Sequence, residues 1–102
     1  MKKEYYVWLD DERLCPYVNY NSFHSVNEVK SFITEKGEGC FYLDLDHDLG
    51  IYAKDGGDAI ELIKWILNMG LHENPIYKFY FTLHTMNIVG RMNMQALIDR
   101  YF

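Results

Sequence analysis

The stretch CFYLDLDHD, Cys40 to Asp48, is an apolar run that stops abruptly in acid. Six residues from Cys40 to Leu45 have the composition of a strand buried in a parallel sheet, and Asp46, His47 and Asp48 mark its emergence at the sheet edge. The same pattern occurs once before: Tyr5 to Leu9 is apolar and aromatic and ends at Asp10-Asp11-Glu12. It occurs again after Pro75, where Ile76 to Leu83 runs into His84-Thr-Met-Asn87.

Between these runs lie helical signals. Ser25-Val-Asn-Glu28 is a capping box, Val26, Val29 and Ile33 recur at helical spacing, and Gly37 is placed to end that helix. After the glycine-containing loop from Gly50 to Gly57, Asp58 and Glu61 form a second capping pair. Ile60, Ile63 and Leu67 share a helical face there, and Gly70 closes it. Val89, Met92, Leu97, Ile98 and Tyr101 supply a last helix. Leu14 to Asn21, with Pro16, reads as an irregular connection, and Tyr20 to His24 as a short second strand.

Alternating strands and helices predict one α/β domain over residues 1–102, a small three-layer α/β/α parallel sheet of about four strands. Ligands of such sheets collect at the carboxyl ends of the strands. Those ends carry Asp10-Asp11, Asp46-His47-Asp48 and His84 to Asn87, so three clusters distant in sequence are expected at one edge. Eight of the 15 acidic residues (Asp10, Asp11, Glu12, Asp44, Asp46, Asp48, Asp55, Asp58) lie in or beside the first two clusters and the loop after them. Carboxylates so placed repel one another unless a cation compensates them. Asp10, Asp11, Asp46 and Asp48 are therefore the expected metal ligands. Their oxygens suit Mg2+ or Mn2+, with His47 and His84 tilting the choice towards Mn2+. Asp44, two residues before Asp46, is either a further ligand or the buried partner of a donor, and Asp58 reads as a helix cap. His24 and His72 read as ordinary surface or packing residues. Asn87 can cap the last helix or contact a ligand, and Arg91 near that helix start can fork onto a phosphate.

Composition excludes several classes. A net charge of −5 gives no basic face for general DNA or RNA binding. Cys15 and Cys40 form no C-x-x-C pair and read as free thiols. No signal peptide or bilayer-crossing run is present, so a cytoplasmic location is expected, in a bacterial cell or from a phage gene.

At Leu9-Asp10-Asp11, the acceptor-like Asp46 and the turn after the fourth strand, the chain resembles a response-regulator receiver domain, a flavodoxin-like fold. More closely, Trp8-Leu-Asp-Asp-Glu-Arg13, Asp46-His-Asp-Leu-Gly50, Asp55-Gly56, Trp65, Pro75 and His84-Thr-Met-Asn87 with Gly90 and Met92 are similar to the divergent cyclic-phosphate-processing receiver domains. The resemblance covers nearly the whole chain. It implies a metal-dependent phosphodiesterase acting on a cyclic nucleotide or other cyclic phosphate, such as a signalling or immune messenger. His84 and His47 are then the candidate proton carriers, and Asn87, Arg91 and Arg13 the phosphate-binding residues. Compared with an ordinary receiver, His84 stands where a Ser or Thr is expected. The sequence ends before a fifth strand with its phosphate-pairing lysine, so the receiver fold is expected in truncated form. The proline-containing segment before Tyr20 replaces the first helix. A binding protein that sequesters a cyclic nucleotide is the alternative, and a signalling receiver with Asp46 as phosphoacceptor the third reading. A homo-oligomer is compatible with all three.

Overall fold

A computed structural model describes residues 2–102, and among these the order is β1 (Glu4–Leu9), β2 (Asn21–Phe23), α1 (Val26–Lys36), β3 (Gly39–Leu45), α2 (Ile60–Asn68), β4 (Tyr77–Leu83) and α3 (Ile88–Tyr101). Short 3-10 turns at Gly50–Lys54 and Leu71–Glu73 flank α2. The strands form one sheet in the order β2-β1-β3-β4, and every pairing is parallel. The four-stranded receiver-like α/β sheet is the one expected, including the short second strand. No described helix is long and apolar enough to cross a membrane.

Side chains alternate between the two faces of each strand, and here the faces differ sharply. Val7, Leu9, Phe41, Leu43, Leu45 and Phe79 point to one side and are buried. They meet Val26, Val29 and Ile33 of α1, Leu62, Ile63 and Ile66 of α2, and Met94 of α3. The helices touch in sequence, α1 with α2 and α2 with α3, so all three lie on this side. On the other side Tyr6, Tyr42 and Tyr80 stack across three strands at 4.8 and 4.9 Å. Among the described residues no helix covers this second face, so the helical layer expected there is not formed. The segment that would cover this second face, from Asp10 to Tyr20, forms turns and extended chain rather than a helix, in keeping with Pro16 at its centre.

Local signals decide most helix ends. Ser25 caps α1 with both arms of the capping box in place, and Gly37 ends it at φ +75°. Asp55, from the loop before α2, accepts from Ser25 Oγ at 2.6 Å and from Asn27 Nδ2 at 3.0 Å, tying that loop to the helix start. The second capping pair is a correction. Ala59 stands at the N-cap of α2 without a side-chain bond. The Asp58 carboxylate instead accepts from the backbone N–H of Leu49 at 3.1 Å. Leu49 is fully buried, so its N–H needs a partner, and Asp58 supplies it. In α3, Leu97 and Ile98 pack on the core as expected, whereas Val89 and Met92 are exposed and Met94 is buried in their place.

Candidate functional site

The carboxyl ends of β1, β3 and β4 meet at one edge, and the acidic residues there divide into two groups. The first is closed upon itself. Asp10 Oδ1 accepts from the backbone N–H groups of Glu12 and Arg13, both at 2.8 Å, and Oδ2 lies 2.8 Å from His84 Nε2. The other ring nitrogen of His84 is 2.6 Å from Asp44 Oδ1. Its ring lies flat on Trp8, with centroids 4.0 Å apart and planes 4° from parallel. Burial works against the charged imidazole, yet the hydrogen bonds to Asp44 and Asp10 outweigh it and raise the His84 pKa above its ordinary value. Burial likewise opposes ionisation of Asp10, and the N–H groups of Arg13 and Glu12 together with His84 overcome it, so its pKa is lowered. His84 thus bridges two buried carboxylates through its two ring nitrogens. Asp44 is the buried partner of a donor rather than a cleft residue.

The second group faces open space. A cleft of about 220 Å³ is lined by Asp11, Arg13, Asp46, Asp48, Thr85 and Asn87, among others. Asp46 is 8% exposed. Burial raises its pKa, the charge of Asp10 raises it further, and a hydrogen bond with the Thr85 hydroxyl only partly offsets them. Asp48 is held differently, by His47 Nδ1 at 2.8 Å and by Asn87 Nδ2 at 3.1 Å to both oxygens. These bonds, that of His47 foremost, lower its pKa. Asp11 sits against Gly50, whose φ of +56° and missing side chain let the loop approach; a Cβ there would fall 2.6 Å from Asp11 Oδ2.

Asn87 caps α3 as expected, and its amide also reaches Asp48. Its Oδ1 caps α3 by accepting from Gly90 N–H at 2.9 Å while its Nδ2 holds Asp48. Arg91 does not reach into the cleft as a free fork, because its Nη2 is engaged by the carbonyls of Leu83 and Thr85 at 3.2 and 3.1 Å. Arg13 lines the cleft and donates from Nη1 to the His84 carbonyl at 3.1 Å. His47 packs under the first turn of α3, where a Cβ added to Gly90 would lie 2.5 Å from its Cγ. Gly90→Ala should therefore displace His47 from Asp48 or push α3 away, at a cost of about 1–3 kcal/mol for overpacking. Chemical denaturation measures that cost, and the imidazole NMR shifts of His47 should move with it.

Thr85 was missed by the sequence reading, which placed His84 at the position of the receiver hydroxyl. The hydroxyl is present one residue later: Thr85 is 4% exposed, lines the cleft with Asp46 and accepts from Asn87 N–H at 3.1 Å. The threonine was legible beside His84, but only the β3–β4 pairing tells which neighbour turns towards Asp46.

Among the described residues, ligand atoms of Asp10, Asp46 and His84 lie within 4.8 Å of one another, as do those of His47, Asp48 and Asp58. The chemistry of the donors separates the cluster further. Asp10, His84 and Asp58 stand outside the cleft, whereas Asp11, Asp46 and Asp48 line it, Asp48 with both oxygens also held by Asn87. At Asp46, burial and the nearby charge of Asp10 disfavour the ionised form. An all-oxygen set of this kind fits a hard divalent cation such as Mg2+ or Mn2+.

Residues 5–100 match the family described as the cyclic-phosphate processing receiver domain. No curated protein and no solved structure matches the chain.

Proposed function

The chain belongs to the cyclic-phosphate processing receiver family, and from that premise we propose that it is a metal-dependent phosphodiesterase that opens a cyclic phosphate, carried on a nucleotide or other small molecule. The observation that carries this reading is the buried, undercompensated Asp46 facing Asp11, Asp48, Thr85 and Asn87 in one cleft. Asp11, Asp46 and Asp48 would hold the cation, which when bound supplies positive charge against the phosphate oxygens. Arg13 and the Asn87 amide orient the phosphate. Water attacks phosphorus, the ring P–O bond breaks, and the departing oxygen takes up a proton, so that one water is consumed per phosphomonoester formed. His47 carries the proton, oriented by its bond to Asp48.

His84, the other candidate carrier, is a positioning residue in this reading, since neither ring nitrogen is left for a substrate. Removing it strands two buried carboxylates and empties the face of Trp8. His84→Ala should cost about 3 kcal/mol or more in unfolding free energy, measured by urea titration, while the rate per folded molecule stays near wild type. His47→Ala should instead lower turnover per folded molecule about a hundredfold, beside whatever stability is lost with its packing under α3.

Incubation with cyclic mono-, di- and oligonucleotides and Mg2+ or Mn2+, followed by separation of products, tests the proposal. A ring-opened monoester supports it, whereas intact ligand retained in stoichiometric amount would make the protein a sequestering one. The buried Thr85 beside Asp46 in the cleft favours a second reading, in which Asp46 accepts a phosphoryl group as in a receiver. Stable labelling of Asp46 by a small phosphodonor, without hydrolysis of any cyclic phosphate, would select it.

A further inference from the structure

Parallel sheets are ordinarily covered on both faces, and this one is covered by helices on one. On the bare face, register places Glu4, Cys40 and Lys78 in one row and Tyr6, Tyr42 and Tyr80 in the next. A third row holds Trp8, Asp44 and Thr82. The segment from Arg13 to Tyr20 shelters only one corner of this face. Tyr17 stands on Trp8 and Tyr20 on Tyr6, and Trp8 and Asp44 are 6% and 5% exposed. The corner over β4 lies open: Tyr80 is 45% exposed, and Lys78 and Thr82 are exposed as well. The sheltering segment itself carries Val18 at 97% and Leu14 at 92% exposure. A raised apolar corner thus adjoins an empty one.

We propose that this face is a dimer interface and that its occupant is a second copy of the chain, related by a two-fold axis running parallel to β3. Such an axis keeps the strand direction and exchanges left and right, so β1 of one copy lies over β4 of the other and each row meets its own row. Glu4 then faces Lys78 of the second copy, twice per dimer. Tyr42 meets its counterpart at the axis, and the raised segment of each copy fills the open corner over β4 of the other. An axis across the strands would instead lay Glu4 over Trp8 and leave both charges unpaired. Tyr6 donates to Glu4 at 2.7 Å, holding the carboxylate in its row. The tyrosines and the apolar segment supply contact area, and the exposed ion pairs select the orientation.

Sedimentation equilibrium of the full chain at micromolar concentration should give a dimer. Glu4→Lys and Lys78→Glu should each weaken it on the order of tenfold or more, since each opposes like charges at both ends. Mixing the two variants should restore association as a heterodimer, because one chain then carries two lysines and the other two glutamates at the paired positions. The doubly reversed chain should dimerise alone, and Tyr42→Arg should not. A wild-type monomer overturns the proposal, as do single reversals without effect or a mixture that fails to rescue them. A monomer whose tyrosine emission is quenched by a nucleotide would also overturn it, by marking the face as a base-stacking platform.

Discussion

Asp46→Asn should abolish hydrolysis of the cyclic phosphate, a loss of at least about a hundredfold, while the protein stays folded. The expectation rests on what surrounds the carboxylate. Burial and the neighbouring charge of Asp10 both disfavour its ionised form, and only the Thr85 hydroxyl and weaker contacts favour it. A carboxylate kept in such a place costs stability that the fold does not recover. An amide has nearly the same shape, can still bond with Thr85, and brings no charge, so the melting temperature should hold or rise. Product separation measures the rate and calorimetry the stability. Full turnover in the variant would remove Asp46 from the chemistry. A collapsed fold would make the carboxylate structural, in contradiction to its electrostatic surroundings.

Saturating Mg2+ or Mn2+ should raise the melting temperature of the wild type, and a chelator should reverse the gain. A ligand that binds only the folded state stabilises it by about 2.7 kcal/mol at a hundredfold excess over Kd. For a domain of this size that is about 10–20 °C. Asp11→Asn and Asp46→Asn should each lose most of the gain, because each removes an oxygen charge that faces the cleft. Asp10→Asn should behave differently. Its carboxylate is engaged by two backbone N–H groups and His84, so the variant should melt lower without cation yet keep much of the response. Equal cation responses in wild type and Asp46→Asn would rule out the cleft as the cation site.

The positions of β1, β3 and β4 and the caps of α1 could be read from the chain itself. Apolar runs ending in acid, the Ser25-x-x-Glu28 box and Gly37 act over a few residues, where local sterics and hydrogen bonding decide. For the same reason the convergence of Asp11, Asp46, Asp48 and Asn87 followed from parallel strands alone. Contacts between segments distant in sequence were not legible. That His84 lies between Asp10 and Asp44 depends on the β1–β3–β4 register, which brings residues 40 and 74 positions apart to one imidazole. That Asp58 holds Leu49 instead of capping α2 depends on how the loop folds back. The missing helical layer is decided in the same way. Residues 10–20 have no helical pattern, but only the assembled sheet reveals that α1, α2 and α3 all crowd one face and leave the tyrosines of the other without a helical cover. Periodicity and capping are properties of neighbouring residues and so are written in the sequence, whereas which carboxylate is neutralised, by what, and which is left facing the cleft is set by packing across the fold.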